Sequence, residues 1–354
     1  MRLVYPRREF LRRSWLLALP RLAMSGSIPL LLWTAARGAS RLVGPRDLKI
    51  DLSLNKILSL HTHLRVAASR KKDLPPELAE SVRLYRHHQK LVPDPRIWFR
   101  MESFIARARD ISSVKGQLNM FPLKYKMLAL GKTGSDIAAA MEQAYPFFET
   151  RIWPALALRN STTVKPVLRN LFYPHQEELL QFLFTSLNAR LLPLHRVKID
   201  LVGRYVLTGS DAQEVDGKFF TVIETDRFTA TGLTETIVMM LGRIIELADK
   251  GNHNNALLLL RQRQRELHPM NPALLPRAVL YWTAGEAVRR MVDFSHVHVG
   301  KTRKIYQRAF QAFLPALEAY WNPYLDGKLG LDEAISGLTQ GVPPHRAEEG
   351  RTNR

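Results

Sequence analysis

Only two short stretches of this chain alternate or branch as β-strands do, while most of its other apolar residues recur at helical spacing. They are Val197-Lys198-Ile199-Asp200-Leu201-Val202 and Lys218-Phe219-Phe220-Thr221-Val222-Ile223, separated by a polar loop containing Gly209, Asp211 and Gly217. The pattern predicts an α+β fold, predominantly α-helical, in which a small sheet or hairpin is followed by a helical C-terminal part.

Helical spacing runs through Leu52 to Ala68, Leu78 to Leu91 and Ile97 to Ile111, with breaks at Pro75-Pro76 and Pro93-Asp94-Pro95. From Ser135 a long helical stretch passes through Tyr145 to Pro154, and another covers Val164 to Leu192. After the second strand, helices are expected near 231–249, 253–267, 273–293, 301–321 and 331–340. The expected organisation is an export signal over 1–36, a basic helical region over 41–130, an α+β part over 135–340 and a loose polar tail over 341–354. Gly251 to Asn271 looks like part of one tetratricopeptide unit, but no repeat accompanies it and a solenoid needs several.

Charge narrows the partners. Of the formal net +20, the first 36 residues supply +5, from six arginines and one glutamate, and +15 remains beyond them. Such a surface favours phospholipid head groups, acidic envelope polymers or nucleic acid, with an attraction that weakens as salt rises. The absence of cysteine removes disulfides, thiol catalysis and thiolate metal sites, leaving imidazole and carboxylate as the strong ligands.

The N-terminus carries Pro6-Arg7-Arg8-Glu9-Phe10-Leu11-Arg12, followed by the apolar stretches Trp15 to Leu19 and Ile28 to Trp33 and by the small residues Thr34-Ala35-Ala36. This order resembles a twin-arginine signal peptide, with Arg7, Arg8, Phe10 and Leu11 as its motif. The resemblance implies passage through the twin-arginine translocase to the periplasm or cell envelope, with a membrane anchor retained if the signal is uncleaved. Export makes nucleic acid an unlikely partner. Arg21, Ser25, Gly26 and Pro29 interrupt the apolar run, which falls short of the roughly 20 apolar residues a spanning helix needs.

Local motifs are few. Gly131-Lys132-Thr133 lacks the earlier glycine of a phosphate-binding loop, since Lys126 stands there. The pairs His61 and His63, His87 and His88, and His296 and His298 have no carboxylate motif at metal-site spacing, so they are expected at the surface or in caps.

In the last 200 residues, Tyr281-Trp282-Thr283-Ala284-Gly285-Glu286-Ala287-Val288-Arg289-Arg290 and Trp321-Asn322-Pro323-Tyr324-Leu325-Asp326-Gly327 stand in a suggestive order. They resemble a family of exported bacterial proteins with a gluzincin-type zinc metallopeptidase fold. In that family a helix bearing His-Glu-x-x-His follows a strand, two histidines grip zinc and a later helix supplies a third ligand. Here the matching helix has Met239 and Arg243 at the histidine positions and Met240 at the glutamate position, and Glu286 matches the third ligand. The resemblance therefore implies a degenerate, non-catalytic member that holds no metal and uses no cofactor. It also implies an Arg243 to Glu286 ion pair, and a residual cleft with Tyr281 and Trp282 that accepts a peptide or polymer. Two alternatives stay open: a hydrolase using Glu224, Asp226 or Glu286 as acid or base, and a basic structural protein that binds anionic lipid or envelope polymer.

Overall fold

Three of the described helices begin at a residue whose side chain accepts from a free N–H of the first turn, Asn55, Asp94 and Thr229. In the computed structural model, residues 48–70, 74–124, 131–190, 196–205, 210–215, 218–226, 228–267 and 273–340 are described. The expected signal over 1–36 and the tail over 341–354 lie outside them. All the described residues belong to one contact unit, Arg41–Arg354.

Strand β1 (Lys49–Leu54) opens the fold. Asn55 ends it and starts α1 (Lys56–Ala68): its side chain accepts from Leu58 N at 2.9 Å and donates to Asp200 Oδ1 at 3.0 Å. Helix α2 (Pro76–Leu91) places proline in its first turn, and α3 (Pro95–Ile105) does the same behind the capping Asp94. Helices α4 (Ile111–Lys124) and α5 (Gly131–Phe147) complete the first helical layer.

Beyond α5 the chain remains helical but keeps changing pitch. The short helices α6 (Trp153–Arg159) and α7 (Lys165–Val167) alternate with wide π-turns at Phe148–Ile152, Asn160–Val164 and Leu168–Phe172, before α8 (Gln176–Ser186). Each π-turn ends two residues before a proline, at Pro154, Pro166 and Pro174. The wide bond is closed by the residue just before each proline, Trp153 N–H to Phe148 O, Lys165 N–H to Asn160 O and Tyr173 N–H to Leu168 O, and proline, which has no N–H to give, follows it.

Strands β2 (Arg196–Val202), β3 (Ser210–Val215) and β4 (Lys218–Glu224) join β1 in one sheet of order β1-β2-β4-β3. β1 and β4 run parallel to β2, and β3 closes one edge antiparallel to β4. Two of these four strands were not expected. The sequence pattern places the end of β1 at the start of a helix and β3 in a polar loop.

The sheet separates two apolar cores. Alternation within β4 sends Phe220 and Val222 into the core formed by α1 to α5, while Ile223 faces the other core. Val197, Ile199 and Leu201 of β2 join Ile223 in that second core. Helix α5, placed by sequence in the second part, contributes Ile137, Met141 and Ala144 to the first core.

The second core is built from α8, α9 (Ala230–Ala248), α10 (Ala256–Leu267) and α11 (Leu274–Met291). Thr229 caps α9, its side chain accepting from Gly232 N at 3.2 Å. A single helix was expected over 301–321. Instead α12 (Val299–Thr302), α13 (Leu314–Ala316) and α14 (Asn322–Leu325) are separated by π-turns at Tyr306–Phe310 and Leu317–Trp321, the latter again two residues before a proline, Pro323. Helix α15 (Leu331–Gln340) ends the described chain. Among the described residues, no helix is long and apolar enough to cross a membrane.

Candidate functional site

Helices α9 and α11 pack together and carry the residues singled out by sequence. Met239 and Met240 are buried and belong to the second core, as does Trp282, whereas Tyr281 is half-buried. Arg243 turns to its own helix: its guanidinium binds Glu246, which also receives Arg261 from α10.

The expected Arg243 to Glu286 ion pair is not formed, and helix geometry explains why. A Cβ on Gly242 would lie 2.5 Å from Leu280 Cδ1, which sets these two positions at one level of the α9–α11 contact. Glu286 is six residues further along α11, a rise of about 9 Å. Arg243 reaches Glu246 three residues away on its own helix at far lower cost.

Glu286 is bound instead by three cationic or polar groups from its own neighbourhood. Arg289 Nη2 donates at 2.6 Å, Arg290 Nε at 3.0 Å, and His298 Nε2 stands 3.1 Å away. Burial alone would raise the pKa of this carboxyl. The hydrogen bonds to His298, Arg289 and Arg290 override that and hold it far below the ordinary carboxylate range. Arg290 also reaches Asp326 at 2.8 Å, joining α11 to the Trp321–Gly327 segment.

The residue of α9 that belongs to this cluster is Glu235. Its Oε2 lies 2.6 Å from His296 Nε2 and accepts from the backbone N–H of Val299 at 2.7 Å. The rings of His296 and His298 stack with centroids 6.3 Å apart, so two histidine–carboxylate pairs lie side by side. Both histidines are buried, at 7% and 4% exposure, rather than at the surface, although His298 does stand at the N-cap position of α12, without a side-chain cap bond. Trp282 meets His298 edge-on at 5.1 Å and Tyr306 at 5.7 Å, sealing the cluster on its apolar side. Glu235, His296 and His298 were missed as members of a site. The available signal was His296-Val297-His298, whose alternation turns both rings inward when the segment is extended.

The first core holds a second buried polar cluster. Arg65 binds Glu102, Tyr205 Oη donates to Glu102 Oε2 at 2.6 Å, and His61 Nδ1 lies 2.8 Å from Tyr85 Oη. The Arg65 guanidinium also lies 5.0 Å from the Trp98 ring centroid. His61 is fully buried, and His88, 2% exposed, binds Asp136 at 2.9 Å, so these two depart from the surface expectation, whereas His87 is exposed and His63 half-buried.

The remaining carboxylate candidates are dispersed. Glu224 is buried at the end of β4, and Asp226 is engaged by Arg159 at 3.4 Å and Arg204 at 3.2 Å. The arginines that engage Asp226 are not those that hold Glu286. A surface hollow of about 480 Å³ lies elsewhere, lined by residues that include Asn188, Asn254, Asp332 and Glu333.

The donor set does not fit a zinc centre. Methionine is a poor zinc ligand and arginine keeps its proton, so the α9 positions repel a dication. Among the described residues, no group of three or more histidine or acidic side chains is arranged to hold a metal ion. No protein-family model, curated protein or solved structure matches the chain.

Proposed function

We propose that this chain is a non-catalytic binding protein of the bacterial cell envelope, carried there by the twin-arginine translocase on a peptidase-like scaffold without zinc. The observation that carries the loss of catalysis is the state of Glu286. A general base or metal ligand must offer a lone pair, and this carboxylate is taken up by Arg289, Arg290 and His298. Asp226 is committed to two arginines in the same way.

The order of elements supports the scaffold: α9 follows strand β4 and packs against α11, the arrangement that the family resemblance implies. The surplus of positive charge makes the partner anionic, an envelope polymer or a lipid, and it is contacted through the surface rather than through a metal centre.

The decisive experiment is metal analysis of the purified protein together with a peptide-hydrolysis screen. Less than one tenth of an equivalent of zinc and no cleavage are expected, whereas stoichiometric zinc with cleavage overturns the proposal. Export is tested by replacing Arg7 and Arg8 with lysine, which is expected to leave the protein in the cytoplasm. Unchanged delivery to the envelope would refute that part.

A further inference from the structure

The segment joining α11 to α12 shows two opposite characters on its two sides. Its inner side is fastened by His296 to Glu235, by His298 to Glu286 and by the Val299 N–H to Glu235. A tight turn holds its start, where the Asp293 carboxylate accepts from Ser295 N at 2.9 Å and from Ser295 Oγ at 2.7 Å. Its outer side presents Phe294, 85% exposed, and Val297, 56% exposed. Holding a phenylalanine ring in water forgoes its burial free energy, and here a loop fastened on its inner side does so.

Positive charge is dense in the sequence on either side of these two apolar tips. Between Ala287 and Leu317 there are six cations, Arg289, Arg290, Lys301, Arg303, Lys304 and Arg308, against one acid, Asp293. Arg289 lies 5.9 Å from the Phe294 ring centroid. Lys301, Lys304 and Arg308 are exposed and form no ion pair with a described residue.

We propose that this segment is a lipid-docking surface, on which Phe294 and Val297 enter the head-group layer of an anionic bilayer while Lys301, Lys304 and Arg308 contact lipid phosphates. It rests on the envelope-binding function proposed above and names the partner and the face. Charge complementarity selects the occupant: a bilayer rewards a small apolar tip and several cations at once. A stable protein partner would require an apolar patch on the order of several hundred Å² on this side, and two isolated side chains do not supply it.

Because the chain has no cysteine, a single probe position can be introduced cleanly. The full-length protein would be made as Phe294→Cys and, separately, as Met120→Cys, a control that is also exposed, at 50%. Both carry an environment-sensitive fluorophore and are mixed with vesicles of phosphatidylglycerol and phosphatidylethanolamine, or of phosphatidylcholine. A blue shift at position 294 is expected on the anionic vesicles and not on the neutral ones, with no shift at position 120. Unlabelled Phe294→Ser/Val297→Ser and Lys301→Glu/Lys304→Glu proteins are each expected to co-sediment about ten-fold less well with anionic vesicles.

Vesicle binding with no response at position 294, or binding unaffected by either double substitution, would overturn the docking surface while leaving an envelope-binding protein in place. Stoichiometric zinc with peptide cleavage would overturn that broader function without touching the vesicle result.

Discussion

His298 Nε2 stands 3.1 Å from Oε1 of Glu286, on a carboxylate that two arginines of the same helix also hold. This contact ties the lower turn of α11 to the segment that leads into α12. Replacing Glu286 with glutamine keeps the volume but removes the charge, leaving Arg289, Arg290 and His298 around a weaker acceptor. A loss of about 2–3 kcal/mol is expected in urea unfolding, in the range for hydrogen bonds to charged groups. A change below about 0.5 kcal/mol would mean that the cluster contributes no more than an ordinary surface site.

The neighbouring glycine exists to admit that histidine. A Cβ on Gly285 would stand 2.4 Å from His298 Cγ, closer than side chains approach one another, and the imidazole cannot withdraw without giving up Glu286. Gly285→Ala is expected to cost about 1–3 kcal/mol despite the better helix propensity of alanine. Gly251→Ala, where the new methyl meets nothing within 4 Å, is the control and is expected to change stability by less than about 0.5 kcal/mol. Equal effects at the two positions in thermal or urea unfolding would refute the steric account.

The helical character of this fold was legible because apolar spacing over many residues is hard to mistake, and the expected helices at 231–249, 273–293 and 331–340 match α9, α11 and α15 closely. The missed strands have separate causes. β1 is six residues of alternating Lys-Ile-Asp-Leu-Ser-Leu running directly into a helix, so its short period-2 signal merges with a period-3.6 one. β3 is an edge strand of mostly polar residues, although Asp216-Gly217 between the paired positions Val215 and Lys218 was a hairpin signal. The site was legible only in outline. Glu286 could be picked from its motif, but its partner His298 and the companion pair of Glu235 and His296 come from segments brought together by tertiary packing.

In the first core, Glu102 joins α3 to α1 through Arg65 and to the segment after β2 through Tyr205. Removing the phenol in Tyr205→Phe deletes one hydrogen bond, 2.6 Å long, and is expected to cost about 1–2 kcal/mol. Glu102→Ala leaves a guanidinium that is 4% exposed without its counter-charge, and a larger loss of about 3–5 kcal/mol is expected. The order matters more than the values. If the tyrosine variant were the less stable of the two by chemical denaturation, the carboxylate would not be the centre of the cluster.

Acid is expected to unfold the protein in two stages. Burial lowers the pKa of His61, against the pull of Glu102, and burial together with Arg204 lowers that of His63. Both stay neutral in the folded chain at a pH where the unfolded chain, with imidazoles near 6.5, takes up protons. The unfolded state then binds more protons, so stability is full above about pH 7 and declines as pH falls through 6.5. Glu102 and Glu286 extend the decline. Burial opposes their ionisation, but Arg65 for the first and His298 with Arg289 and Arg290 for the second keep both below the ordinary carboxylate value of 4.5. Their contribution is present above that value and is lost as pH falls beneath it. Calorimetric melting from pH 8 to pH 4 should therefore show a plateau, a first decline beginning near 6.5 and a steeper one near 4.5, with His61→Gln reducing only the first. A melting temperature that held constant from pH 7.5 to pH 5 would contradict the neutral, buried state of His61.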